Sequence, residues 1–418
     1  MTRLFKNIWF PSLWICLLWF CAMHPAYAQL AEETRVVEGE GQKLRIAPDL
    51  AAAGTGEDLF DSIRYVPLET TKESEFRTIS QLVATHDRYI ILDQRLNTVL
   101  FFAKDGSFIQ KISPKSKGLP RPYQSLWRFS VNEQAGFIVC YFSDATPNYY
   151  FDMEGNFLRK EPKKYVAREG LFKGMEVLYY GFRNENVEAE DGLFPNLEVY
   201  DPKNGERISS YFYYDTARMD YATELFISGP YFYASGADRF FFSQPYDYSL
   251  YELLPDGKLT EKYRVVLPME IALPPDFLSD STYDGKRKEY IQSTYSTPEN
   301  IDQRRKPVVY VFKNVYQIKN WLTLGFSGSN ALLYNTGTGD LYDFEKTDLS
   351  KKGFSSSVGK RDVLAVDGDA LVTALDFAKI VGFYEENSHD DRLGMRDLKS
   401  FLKKKFHNPI LQLSYLKD

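Results

Sequence analysis

Apolar positions along this chain come in short alternating runs, and the runs repeat a phrase. A β-rich segment leads into a tight turn ending in glycine, and a second β-rich segment follows. The phrase occurs at Thr98–Ile112 around Gly106, Tyr149–Leu158 around Gly155, Leu197–Ile208 around Gly205, Leu250–Leu259 around Gly257 and Ala331–Tyr342 around Gly339. Asp105-Gly106, Asn204-Gly205 and Asp256-Gly257 are hairpin turns by chemistry, because both residue types tolerate positive φ. The five glycines stand 49, 50, 52 and 82 residues apart, so three intervals agree and the last is one period plus an insertion.

A period of that length has room for four short strands. Between the first two turns they read as Leu126–Val131, Phe137–Phe142, Tyr149–Asp152 and Phe157–Lys160. Four antiparallel strands repeated about an axis make a propeller blade. Five turns give five blades, starting near Ile79. Val363–Ala374, a hairpin about Asp367-Gly368, opens a sixth, and Pro409–Leu416 gives its third strand. Its missing fourth strand is expected from the other end of the chain, at Ser62–Leu68, which would cover two otherwise open edges. The expected fold is all-β: a six-bladed β-propeller of four-stranded antiparallel blades over residues 58–418. Insertions break the rhythm at 269–305 and 376–407. The first should hold a short helix at 285–296. The second should be helical at 385–407, with Leu393, Leu398, Phe401, Leu402 and Phe406 on one face. Lys399, Lys403, Lys404 and Lys405 lie largely off that face and read as a solvated helix end.

Composition limits the setting. The 418 residues are 44% hydrophobic, 16% aromatic and 26% charged, which is globular composition. Residues 1–28 read as a signal peptide: Arg3 and Lys6 precede an apolar stretch from Ile8 to Ala22, and Ala26-Tyr27-Ala28 is a small-x-small cleavage site. The stretch falls short of the ~20 apolar residues of a membrane span. Residues 29–57 read as a flexible leader. Removing two basic residues and no acidic ones takes the formal charge from −6 to −8, and no basic block remains, so nucleic acid is an unsuitable partner. Cys16 and Cys21 lie in the signal, which leaves Cys140 without an internal disulfide partner. No later segment is long and apolar enough to span a membrane, so the expected destination is exported: periplasmic, cell-surface or extracellular.

Three segments carry a family resemblance. Tyr65-Val-Pro-Leu-Glu-Thr70, Phe102-Ala-Lys-Asp-Gly-Ser-Phe-Ile109 and Asn408-Pro-Ile-Leu-Gln-Leu-Ser-Tyr-Leu-Lys417 resemble the secreted six-bladed β-propeller proteins of Gram-negative gut bacteria, of NHL-like or TolB-like type. The resemblance runs over roughly 60 to 417 and implies fold and export, with no general activity. That family usually carries a Gly-x-Gly-Pro-x-Glu-Tyr loop after its first blade. Here the stretch is Lys117-Gly-Leu-Pro-Arg-Pro-Tyr123, where Pro120 and Tyr123 match and Pro122 replaces the acid.

The chain offers little catalytic chemistry. It has no Walker loop, no Gly-x-Gly-x-x-Gly after a strand and no Cys-x-x-Cys. Gly325-Phe-Ser-Gly-Ser329 falls one residue short of a nucleophile elbow and reads as a turn. A three-histidine metal site would need His86, His389 and His407 to converge, and the acids Glu185, Glu188, Glu190 and Asp191 lack the Asp-x-Asp-x-Asp-Gly calcium pattern. No catalytic residue, metal or cofactor is expected.

Aromatic residues are the positive signal: Tyr211–Tyr214, Tyr231–Tyr233, Phe240–Phe242 and Tyr246–Tyr248 crowd blades three and four. Within strands they should pack between blades. At strand ends a tyrosine offers an apolar face and a hydroxyl, which suits sugars or peptides. In a propeller one face gathers the links between blades and the second-to-third-strand loops, here 113–125, 183–196, 214–224, 269–305 and 376–407. Arg121, Tyr123, Tyr214, Arg218, Tyr246, Tyr295, Arg304 and Arg305 are the residues expected to approach the funnel mouth on it. The reading is a secreted, non-catalytic binding module for a glycan or peptide. The alternatives are a carbohydrate-active lyase or hydrolase with its site in the funnel, or a structural partner of a cell-envelope protein complex.

Overall fold

The computed structural model of the chain describes residues 37, 39–119, 125–142, 146–183, 187–215, 231–236, 238–278, 280–293, 308–326, 331–349, 362–386 and 407–418. The expected signal peptide, residues 29–36 and most of the helix expected at 385–407 lie outside them.

Strand β1 (Gln42–Arg45) and strand β2 (Phe60–Pro67) precede the blades. Blade one is β3 (Gln81–Ala84), β4 (Arg88–Asp93), β5 (Thr98–Ala103) and β6 (Phe108–Ile112). Blade two is β7 (Arg128–Asn132), β8 (Phe137–Tyr141), β9 (Asn148–Asp152) and β10 (Phe157–Glu161). Blade three is β11 (Arg168–Phe172), β12 (Met175–Tyr179), β13 (Leu197–Asp201) and β14 (Glu206–Tyr211). Blade four is β15 (Phe232–Ala234), β16 (Phe240–Phe242), β17 (Ser249–Leu253) and β18 (Leu259–Val266), and blade five is β19 (Phe312–Ile318), β20 (Trp321–Phe326), β21 (Leu332–Asn335) and β22 (Leu341–Asp343). Blade six is β23 (Ala365–Asp367), β24 (Ala370–Leu375) and β25 (Ile410–Leu416), completed by β2. The repeated glycine turns join the third and fourth strands of blades one to five. At the first of them the glycine is obligatory: Gly106 has φ +89°, and a Cβ there would stand 2.2 Å from the Pro67 carbonyl oxygen.

Closure follows the expected pairing. β2 runs antiparallel to β25 from Phe60↔Leu416 to Pro67↔Ile410. One side chain locks the junction. Asn408 is fully buried, accepts from the Phe76 N–H at 3.0 Å and donates to the carbonyls of Glu69 (2.8 Å) and Ser74 (2.9 Å). Its own N–H donates to Thr70 Oγ1 at 2.8 Å.

The leader departs from expectation. From residue 42 on it is a docked strap. β1 adds to blade four as a fifth strand, parallel to β18, from Gln42↔Tyr263 to Arg45↔Val266. The strap then bridges Ala52 to Tyr342 on the rim of blade five, and Gly56 donates to the Asp348 carbonyl at 2.8 Å. A short helix, α1 (Gly56–Leu59), capped by Thr55, leads into β2. The physical reason is edge pairing: the outermost strands of blades four and five would otherwise present unpaired backbone, and Leu44, Ile46 and Leu59 supply buried apolar anchors.

The described parts of the insertions hold two α-helices: α2 (Arg287–Ser293), inside the expected span, and α3 (Phe377–Glu386), which starts earlier than expected. Between blades, apolar clusters fill the seams. Ile90, Phe101, Phe129, Ile138 and Phe151 join blades one and two; Val177, Val199, Phe242 and Leu253 join three and four; Tyr89, Phe102, Val372 and Leu411 join six and one. Phe241, Leu250, Val315, Leu322 and Leu371 belong to one cluster spanning blades four, five and six.

Two expectations follow. Asn408→Ala strands three buried backbone groups, so it should cost about 2–4 kcal/mol, read from the midpoint of denaturant unfolding. A loss below about 0.5 kcal/mol would show that strand pairing alone closes the ring. Cys140 is fully buried between blades one and two, and burial pushes its thiol up to about 12. The native protein should therefore resist a thiol reagent at pH 8 and react only when unfolded.

Candidate functional site

Antiparallel strands fix which loops share a face. The start of each innermost strand, the end of the second, the start of the third and the end of the fourth all lie at one end of the blade. The innermost strands are β3, β7, β11, β15, β19 and β23, so their first residues ring the channel mouth on the face of the interblade links. On blades two to four those positions are chemically rich. Trp127 immediately precedes β7, Arg168 opens β11 and Tyr231 immediately precedes β15.

Blade three carries a pocket at this end. Its lining comes from the link into β11 (Val166, Ala167, Arg168) and from the end of β12 and its following turn (Tyr179, Tyr180, Gly181, Arg183), around about 330 Å³ that includes open solvent. The Arg168 guanidinium stands 6.0 Å from the centre of the Trp127 ring, and Trp127 is 41% exposed. Tyr179 and Tyr231 meet edge to face at 5.2 Å. Both are buried; the Tyr231 hydroxyl makes no hydrogen bond among the described residues, and the Tyr179 hydroxyl has the Asn196 side chain beside it. Burial raises both hydroxyls above their ordinary range, so they stay protonated and able to donate. A buried polar group without a partner costs about 1–3 kcal/mol, and native proteins keep few of them.

An aromatic wall continues outward over blades three and four. Phe182 and Tyr246 sit in the second-to-third-strand loops of adjacent blades, at φ +62° and +68°. Bulky residues rarely adopt this region. Asn196 holds the first loop by accepting from the Phe182 N–H at 2.8 Å, and the Tyr246 N–H donates to the Tyr310 carbonyl at 2.6 Å in the second. The Tyr246 ring stacks at 5.7 Å on Tyr310 and at 6.0 Å on Phe277.

The insertion after blade four braces this wall. Leu273, Phe277, Ile291 and Val308 form a small core against Tyr246, Tyr248 and Tyr310. Arg287, fully buried, ties the loop together. It donates to the carbonyls of Phe277 (3.0 Å), Leu278 (3.3 Å) and Asp280 (3.1 Å) and pairs with Asp284 at 2.6 Å.

Of the eight residues expected at the mouth, Arg121, Tyr123, Arg218, Tyr295, Arg304 and Arg305 lie outside the described residues. Tyr246 stands half-buried in the wall. Tyr214 corrects the expectation: it is 3% exposed, because its ring packs on Phe182 (5.3 Å) and Phe194 (6.0 Å) while its backbone pairs with Phe194. Trp127, Arg168, Tyr179, Arg183 and Tyr231, which stand at this end of blades two to four, are not among the eight expected residues. For Trp127, Arg168 and Tyr231 the usable signal is position, because the residue opening, or just before, the first strand of a blade stands at the mouth whatever the loop lengths.

Beneath the pocket, the seam between blades two and three is rich in charge. Glu169, 3% exposed, pairs with Arg128 at 3.1 Å and Lys163 at 3.4 Å. Arg128 also lies 4.2 Å from the centre of the Tyr141 ring. Deeper in blade three, Glu198 accepts from Tyr180, from Tyr200 at 2.9 Å and from Arg207 at 2.9 Å. Glu176 faces this seam, and burial, reinforced by the charges of Glu169 and Glu161 against the opposing Lys163, raises its carboxyl to about 7. Elsewhere, His86, Asp87 and Glu133 bring ligand-type atoms together, but all three are exposed and Arg88 already holds Asp87 through bonds of 2.6–3.0 Å.

The chain matches the model of a domain of unknown function, DUF4934, over residues 55–413. It is similar in fold to a solved Bacteroides fragilis structure named "Putative exported protein", with TM-score 0.63 and 16% identity over 91% of this chain and 100% of that one. A structural-genomics protein of unknown function from Bacteroides thetaiotaomicron is a more distant match, with TM-score 0.37 and 10% identity over 87% of this chain and 74% of that one. No curated protein matches.

The Glu176 carboxyl gives a pH expectation. Its folded value lies above its unfolded one, so the native state binds the extra proton between them. Its contribution to stability is complete below the unfolded value of 4.5 and is lost as pH rises to about 7. Glu176→Gln should therefore stabilise the protein at pH 8 by on the order of 1–3 kcal/mol, with no gain at pH 4. Equal effects at both pH values, measured by chemical denaturation, would show that the carboxyl is ionised in the seam.

Proposed function

The chain belongs to the DUF4934 family, which brings a fold and no activity, and on that premise we propose that it is an exported, non-catalytic binding propeller for a glycan or peptide. Its ligand lies across the interblade-link face, over the inner ends of blades three and four. The observation carrying this reading is the pair of strained aromatic loops. Phe182 and Tyr246, on neighbouring blades, both hold positive φ on one face, and the insertion after blade four is packed to support the second. Backbone strain of this kind costs about 1–3 kcal/mol per residue and persists where surrounding structure enforces it, most often at ligand sites. Export rests on the N-terminal segment: two basic residues, an apolar run and a small-x-small site ending at Ala28. N-terminal sequencing of the protein recovered from its native envelope should begin at Gln29.

Tyr246→Gly tests the face. Glycine accepts the loop's φ without strain, which offsets part of the lost ring packing, so melting should shift by only a few degrees. Binding to whichever glycan or peptide a screen returns should weaken by about tenfold. Unchanged affinity in this variant, with losses mapping to the Gly106, Gly155 and Gly257 hairpins, would move the site to the opposite face.

A further inference from the structure

We propose that the blade-three pocket is a subsite for the carboxylate of a uronic-acid residue in an acidic glycan, with the sugar ring laid on Trp127. The inference deepens the binding reading and rests on it. Three features point the same way. Arg168 and Arg183 line the pocket, and a guanidinium is the side chain that meets a carboxylate as a fork. Tyr179 lines the same pocket and meets Tyr231 edge to face, and the buried, protonated Tyr231 hydroxyl makes no hydrogen bond among the described residues, which leaves it a donor for a carboxylate oxygen. Trp127, 41% exposed and 6.0 Å from the Arg168 guanidinium, places a flat apolar face next to that charge. A pyranose carrying a carboxylate has this combination: one apolar ring face and an anionic group at its edge.

A peptide carboxylate fits less well. Peptide recognition relies on apolar anchors or on adding a strand to an open sheet edge. The pocket's apolar lining is limited to Val166, Ala167 and Gly181 beside the tyrosine rings, and it lies at the ends of β11 and β12, away from the outer strand β14 where a peptide strand would add. The chain's own acidity shapes the choice of probe. A formal charge of −6, or −8 without residues 1–28, repels a long polyanion, so short oligosaccharides are the appropriate ligands.

The experiment is calorimetric titration of the folded protein with tetragalacturonate, an alginate tetrasaccharide and a hyaluronan tetrasaccharide. A neutral β-1,4-galactotetraose and the capped peptide acetyl-Gly-Glu-Gly-Glu-amide serve as comparisons. At least one uronic oligosaccharide should bind, and the neutral one should bind at least about tenfold more weakly. Arg168→Gln and Trp127→Ala should each weaken the uronic ligand by about tenfold. Tyr231→Phe should weaken it about three- to tenfold while raising the melting temperature of the free protein, because it removes an unpartnered buried hydroxyl. A purely structural Tyr231 would lower melting instead, and that result counts against the subsite. Uronic ligands that bind equally to parent and Arg168→Gln overturn the proposal. So does Arg168-dependent binding of the peptide without binding of any uronic glycan. Binding of the neutral glycan that is lost in Tyr246→Gly but kept in Arg168→Gln overturns the carboxylate subsite and leaves the binding face standing. Silence of every glycan and peptide removes both.

Discussion

The pairing of the first and last strands of the ring is the constraint on which the rest depends. A propeller blade buries its two faces only against neighbours, so an open ring leaves two faces and two strand edges in water. Here β2 and β25 close it through a full antiparallel ladder. Asn408 anchors the joint by binding backbone on the far side of the seam, at Glu69, Ser74 and Phe76. The same logic explains the leader. Residues that looked like a mobile tether carry Leu44 and Ile46 into the core and cover the edge of blade four. The chain enters the ring through a strap that passes blades four and five before it reaches blade six.

Once the ring is closed, six innermost strands stand around one axis and their first residues converge without further instruction. What differs between blades is the chemistry delivered there. Blades two, three and four bring Trp127, Arg168 and Tyr231 to one sector of the mouth. The wall beside that sector is made of aromatic loops and an insertion pinned by Arg287, whose charge is answered by Asp284 and three carbonyls. The seam below is built differently from its neighbours. Where the seams on either side are filled mainly by aliphatic and aromatic side chains, the joint between blades two and three places Glu169, Lys163 and Arg128 in contact and leaves Glu176 facing them. Buried pairs of this kind contribute little net stability but tolerate few alternative arrangements, because breaking one leaves an uncompensated charge. They hold Arg128 against blade three next to the pocket.

The sequence by itself determined the repeat. Strand alternation is local, and a glycine at positive φ is required wherever a third strand turns into a fourth, so Gly106, Gly155, Gly205, Gly257 and Gly339 mark five blades directly. The unpaired strand at each end of the count then forced closure, because a blade short of one strand has an edge to cover. The face was readable too, since loop position follows from antiparallel order. Which side chains meet there was not. Tyr214 and Tyr246 look alike in sequence, each an aromatic at a strand end, yet one is sealed behind Phe182 and Phe194 and the other remains half-buried beside Tyr310. Arg168, Tyr179 and Tyr231 are separated by up to 63 residues and belong to two blades, so no local pattern joins them. Their meeting is decided by the rotation of one blade against the next, which is set by packing across the whole seam. That is a property of the closed ring, and only the tertiary structure could decide it.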